Sequence, residues 1–372
     1  MQRISGLDGV RALAITFVVG GHILPHTHST ILRWICGGQD GVGLFFILSG
    51  FLVTALLLKE KSETGAIDIP HFYFRRAMRI VPPLFAYLLV VICIGYATGD
   101  PVPARVISSV VFFYHNMTHE GTWMVEHTWS LAVEEQFYLL WPLILVLTLR
   151  ISWRTFVWLS FTLILSAPII RMGGHLLHIG WMRHKESYLL PTRMDALLSG
   201  CLVAALVGSS RFESFYRRIE RWIWVAAVFL FVISPYLSRR YWIQYDYPIG
   251  FTLNALTGAF FILWLSRNRD SLLGRIANWK PIATIGVMSY SIYLWQTLAA
   301  HYADGLLRIV LCLAFIAIMT ILSFYLVERP AAATRSYLEK TCFRKKVIEL
   351  ANADSAPSSS AFQNHVGVRS SR

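Results

Sequence analysis

Apolar residues in this chain fall in long, nearly unbroken runs, and the polar residues are gathered in the short gaps between them. A helix needs roughly 20 mostly apolar residues to cross the hydrocarbon of a bilayer. Ten runs qualify as candidate spans, near residues 5–24, 41–58, 81–97, 131–149, 154–171, 192–208, 221–237, 248–265, 281–300 and 306–327. Several are short and lean on flanking aromatics and arginines. A weaker run, 104–114, reads as an interfacial or re-entrant piece. The pattern predicts an all-α, polytopic membrane helix bundle of about ten transmembrane helices.

Composition supports this. The 372 residues are 55% hydrophobic and only 15% charged, with mean hydropathy +0.52, against about 25% charged in ordinary soluble domains. The net charge of +13 raises the question of nucleic acid, but its distribution answers it. With the N-terminus inside, the inner segments hold more than twice the Lys and Arg of the outer loops, as the positive-inside rule requires. The expected topology has both termini cytoplasmic, and the basicity reflects topology rather than a nucleic-acid partner.

One membrane domain is expected over residues 1–338, followed by a cytoplasmic tail, 339–372. The tail's Ser-rich, aperiodic sequence predicts disorder. No cleavable signal peptide and no second soluble domain are expected. Cys36, Cys93, Cys201, Cys312 and Cys342 are scattered, so no disulfide framework is indicated. The pairs His115/His119 and His175/His178 have metal-like spacing but lack further ligands at ligand spacing, and no metal site is expected.

Chemistry starts in the first span, RALAITFVVGGH, residues 11–22. The interval from Arg11 to His22 turns about 1100°, some 20° past three full turns, so the two share a helix face about 16 Å apart. Ionisable groups within the membrane usually face a bundle interior or a wet cavity. The simpler alternative is that Arg11 snorkels to the inner headgroups and His22 caps the outer end.

The glycines of GGQDGVGLFFILSGFL (37–52) allow close helix approach, for packing or for a pocket. In HFYFRRAMRIVPP (71–83), Arg76 and Arg79 are neighbours on a helix face, with Pro82 and Pro83 expected at the start of the third span. Paired guanidinium forks suit phosphates, although arginines beside a span are common on the cytoplasmic side.

HTWSLAVEEQFYLLWP (127–142) places Trp129 at the outer interface and two carboxylates, Glu134 and Glu135, within the apolar run. Neighbouring helical residues point about 100° apart, so only one can face a given site. TRMDALLSG (192–200) adds Arg193 and Asp195, either a structural pair or part of an outer mouth. Topology thus gathers Arg11, Arg76 and Arg79 toward the cytoplasm and His22, Glu134 and Asp195 toward the outside.

Taken in order, these motifs together with SYSIYLWQ and FYLVERP resemble the acyltransferase family 3 membrane proteins over roughly residues 4–336. The resemblance implies about ten spans and transfer of an acyl group, often acetyl, from cytoplasmic acyl-CoA to a hydroxyl of a glycan or related small-molecule acceptor. It carries the R-x10-H motif onto Arg11 and His22, the RxxR motif onto Arg76 and Arg79, and the WSLxxE motif onto Trp129 and Glu134. Arg11, Arg76 and Arg79 would hold the phosphates of acetyl-CoA as co-substrate. His22 would act as general base or acyl carrier, with Glu134 stabilising its imidazolium. Trp129, Tyr138, Arg193 and Asp195 are the candidate substrate-facing residues. Two positions depart from the family pattern: Gly43 stands where an acid is common, and Gln296 where a His often follows YLW. The rival reading is a proton-coupled transporter or flippase using the same Arg, His and Glu groups.

Overall fold

The computed structural model describes residues 6–23, 38–179, 187–303 and 305–343. Among them there is no strand. The helices are α1 (Leu7–Ile23), α2 (Gly38–Thr64), α3 (Ile69–Thr98), α4 (Ala104–Val111), α5 (Thr128–Ile151), α6 (Trp153–Leu176), α7 (Leu190–Leu206), α8 (Ser210–Ile219), α9 (Ile223–Val228), α10 (Ser234–Tyr245), α11 (Phe251–Arg267), α12 (Leu272–Asn278), α13 (Lys280–Val287), α14 (Ser289–Ala300), α15 (Leu306–Ser323) and α16 (Arg329–Leu338). Among the described residues, six helical runs are long and apolar enough to cross a membrane. The chain is a multi-pass membrane protein.

Every predicted span falls on helix, with informative differences. α1 and α7, at 17 residues each, sit at the lower end of the spanning range. The spans expected at 221–237 and 248–265 lie in one helical run, Ser210–Arg267, bent at Tyr241 (φ −134°, ψ 22°). The span expected at 281–300 is divided at Met288 into α13 and α14. α3 starts at Ile69, well before the apolar run. Asp68 caps it by accepting the His71 backbone N–H at 3.0 Å, and Gly99 ends it in the left-handed region (φ 76°). Pro82 and Pro83 therefore lie inside the helix, not at its start. Each removes a backbone bond, a loss that membrane helices tolerate. The weak run 104–114 holds the short helix α4. Of the expected tail, residues 339–343 continue the last helix, and 344–372 lie outside the described residues.

Glycine sets the closest contacts. A Cβ on Gly50 would stand 1.8 Å from the Leu197 carbonyl oxygen, and one on Gly200 would stand 2.0 Å from that of Ile47, so α2 and α7 pack backbone to backbone. Likewise Gly286 of α13 abuts Asp8 at the foot of α1, and Gly41 of α2 abuts Ala14. With no hydrophobic drive between helices in lipid, such small-residue contacts are what hold them together. Large apolar side chains such as Leu139, Leu143 and Leu147 on α5, and Leu311 and Ile318 on α15, point outward, as a lipid-facing surface requires.

A fully buried ion pair ties α6, α7 and α11. Arg171 (0% exposed) meets Asp195 (1%) at 2.9 Å. It also donates to the Tyr247 and Thr192 carbonyls at 3.0 and 2.5 Å and to Thr252 at 2.9 Å. Thr252 in turn donates to Asp195 at 2.7 Å. The partner of Asp195 is thus Arg171, which counts as an outer-loop cation in the sequence, and not Arg193. The guanidinium and carboxylate are both satisfied, the condition under which a buried pair is tolerated.

Candidate active site

Helices α1, α2, α3, α5, α14 and α16 enclose a cavity of about 590 Å3. Its mouth is polar. Arg75 pairs with Glu60 at 3.7 Å, and Arg335 with Glu339 at 3.8 Å. Glu339 also faces His71 at 3.4 Å. Farther in, Arg11, Arg76 and Arg79 all line the cavity. Arg11 is held by Asp8 at 3.0 Å, its neighbour one turn back on α1. Arg76 sits over Tyr138, its guanidinium carbon 3.5 Å from the ring centre, and meets Glu135 at 3.5 Å. Arg79 makes no ion pair or hydrogen bond among the described residues and presents its side chain to the cavity.

Glu134 lines the same cavity and accepts the Ser49 hydroxyl at 2.6 Å, while Glu135 turns away to Arg76. The two neighbouring carboxylates divide as helix geometry demands. Glu134 thus shares a chamber with the three arginines. No hydrogen bond or ion pair joins it to His22 among the described residues.

The inner end of the cavity is formed by Ser130 and Tyr293, whose hydroxyls are 3.0 Å apart. Tyr293 also donates to the His127 carbonyl at 2.5 Å. Behind them stands His127, 5% exposed, with neither ring nitrogen hydrogen-bonded. Its ring meets those of Tyr293 and Tyr87 edge-on, at 5.1 and 5.7 Å. His127 lies within electrostatic reach of His22. His22 itself is exposed near the far end of α1 and does not line the cavity. Its Nδ1–H donates to the Val18 carbonyl at 2.8 Å, and Nε2 has no hydrogen bond among the described residues.

Of the other sequence candidates, Tyr138 lines the cavity, and Trp129 packs edge-on against Phe46 and Tyr188. Asp195 belongs to the buried Arg171 network. Arg193 and Gly43 face a second, smaller cavity. Gln296 is fully buried beside Thr297 at 2.8 Å.

Sequence reasoning overlooked His127, Ser130, Tyr293, Ser49, Arg75 and Arg335. His127 had a legible signal. Positions 127, 130, 134 and 138 recur at helical spacing along one stripe, so the inward face of Glu134 and Tyr138 carries His127 with it. Arg335 had none, because only the fold brings the last helix back to the mouth.

The membrane bundle thus encloses a cavity with ion-paired arginines and glutamates at its mouth and three further arginines beside a carboxylate farther in. The profile of the family described as an acyltransferase domain matches residues 4–328, and the chain belongs to that family. It is similar to the peptidoglycan O-acetyltransferase OatA of Listeria monocytogenes, 28% identical over 88% of this chain and 55% of the relative. It is similar as well to the O-acetyltransferase OatA of Staphylococcus aureus, 28% identical over 88% of this chain and 57% of that one. The chain thus spans little more than half the length of these relatives. No solved structure matches it.

Proposed function

We propose that this protein is a membrane O-acetyltransferase that takes acetyl groups from cytoplasmic acetyl-CoA and delivers them to a hydroxyl of a cell-wall glycan, peptidoglycan being the acceptor named in relatives. The observation that carries this reading is the single cavity that joins Arg11, Arg76 and Arg79 to Glu134 and Ser130. Membership in an acyltransferase family favours the enzyme over the transporter.

The geometry supports a division of labour. Arg79, free of other partners, and Arg76 would hold the CoA phosphates through charge-assisted bonds. Arg75 and Arg335 would release Glu60 and Glu339 to join them at the mouth. The thin pantetheine arm would run inward past Ser49 and Glu134 and bring the thioester to Ser130 and Tyr293. The acceptor hydroxyl would approach from the His22 end. With Nδ1 on the Val18 carbonyl, Nε2 is the atom His22 would use as general base, and a neutral imidazole is available near neutral pH. As that nitrogen takes the hydroxyl proton, the oxygen attacks the thioester carbonyl. The carbon–sulfur bond breaks, and the thiolate leaves to be protonated as CoA. His127, between His22 and the thioester, would relay or orient this proton transfer. Glu134 would hold the donor arm together with Ser49 rather than serve as the partner of His22.

Acetyl-CoA should stabilise the detergent-purified protein against thermal unfolding. A ligand that binds only the folded state at 100 times its Kd adds about 2.7 kcal/mol. At the same concentration the gain should fall to about 0.4–1.4 kcal/mol in Arg79→Ala. Absence of any shift with the wild-type protein would remove the donor assignment.

A further inference from the structure

A 3-10 turn, Glu220–Trp222, separates α8 from α9, and Trp222 (φ −85°, ψ 11°) lies outside the helical range. One side of α8 is fixed to the bundle. Arg267 at the end of α11 grips both Glu213 oxygens, at 2.9 and 2.7 Å, and sits 4.5 Å over the Tyr216 ring. Tyr216 is 3% exposed, and Phe212, one turn before it, packs against the core. At 100° per residue, Arg211, Arg217 and Arg218 fall away from that buried side. All three are exposed, and the turn adds an exposed Arg221. None of the four makes an ion pair or a side-chain hydrogen bond among the described residues.

Two aromatic rings share this outer surface. Phe215 and Trp222 are each 56% exposed. Just beyond them on α9, Trp224 and Val225 are 61% and 60% exposed, as the lipid-facing side of a span is. Helix α8 therefore sits where hydrocarbon gives way to headgroups, the level at which Trp is common in membrane proteins. Charge bias between the loops accounts for the side on which the arginines lie, but not for the exposed rings beside them. In water the rings would leave apolar area hydrated, and in hydrocarbon the arginines would be costly. A basic amphipathic helix with aromatic residues beside its charges suits the interface between the two. Because Glu213 serves Arg267, Glu220 alone offsets the four arginines of the segment. We propose that this surface binds anionic phospholipid, with the Phe215 and Trp222 rings at the acyl boundary and Arg211, Arg217, Arg218 and Arg221 on the lipid phosphates. The excess positive charge favours a lipid of net negative charge over a zwitterionic one.

Lipid dependence of the purified full chain tests this without acetyl-CoA, so its failure leaves the donor reading untouched. At low salt, detergent micelles doped with dioleoylphosphatidylglycerol should raise the unfolding midpoint by a few degrees over micelles doped with dioleoylphosphatidylcholine. High salt should shrink the gain, since the arginines are exposed to screening. An arginine beside an anionic surface adds about fivefold to affinity. The double variant Arg217→Gln, Arg218→Gln should therefore bind phosphatidylglycerol about 25-fold more weakly and lose most of the gain. Both side chains are exposed, so the variant should fold. The control pair Arg150→Gln, Arg154→Gln removes two exposed arginines between α5 and α6 and should keep the gain. Soluble glycerol phosphate should give none. Equal midpoints with the two lipids would overturn the proposal. So would a gain that survives the α8 variant, one that is lost equally in the control pair, or one that glycerol phosphate reproduces.

Discussion

At the residue scale, Arg76 and Arg79 look interchangeable in sequence but differ in what surrounds them. Arg76 balances Glu135 and covers Tyr138, so Arg76→Ala leaves a carboxylate without its cation in the membrane. That substitution should lower thermal stability as well as donor affinity. Arg79 has no such duties. Losing a hydrogen bond to a charged group costs about 1.5–3 kcal/mol, so Arg79→Ala should weaken acetyl-CoA binding about 10- to 100-fold at nearly unchanged stability. Calorimetric titration beside a melting curve separates the two, and equal stability losses would show that the ion pair with Glu135 does not matter. The histidines can be separated in the same way. His22→Ala should reduce transfer about 100- to 10,000-fold with acetyl-CoA binding intact, and full activity would exclude it as the base. The pairing of Arg76 with Glu135 was invisible in the sequence because it joins α3 to α5 across a large gap in the chain.

At the element scale, helix existence was legible because apolar runs act locally; the 3.6-residue turn said only that Glu134 and Glu135 must part, and the choice of Glu134 came from the family resemblance. What was not legible depended on which helices meet. Arg171 reads as a loop cation at the end of a span, and only the approach of α7 and α11 turns it into the fully buried partner of Asp195. Breaking a buried pair from one side costs about 3–5 kcal/mol. Arg171→Ala and Asp195→Asn should each lower the unfolding midpoint sharply while sparing acetyl-CoA binding in whatever protein survives. The Gly50–Leu197 contact is stricter, since the clashing atom is backbone. Gly50→Ala must push α2 and α7 apart, and a sharp fall in the yield of monodisperse protein is expected. A normal yield with an unchanged midpoint would mean that these helices pack less closely than the glycines indicate.

At the scale of the whole molecule, the reading turns on direction. The same cavity would be useless for a cytoplasmic donor if its mouth faced outward. Charge bias in the loops predicts that the mouth faces inside, since the residues around it, Glu60, Arg75, Arg335 and Glu339, belong to the segments expected to be cytoplasmic. The α4–α5 connection then lies outside, near His22 and His127, where an acceptor would arrive. Cysteine accessibility tests this in cells. In a background with the five native cysteines replaced, Ser62→Cys at the exposed end of α2 should resist a membrane-impermeant maleimide until the membrane is opened. Thr118→Cys, in the connection before α5, should react at once. The reverse labelling would turn the arginine cavity toward the outside and remove the route by which CoA could reach it, whatever the purified protein binds.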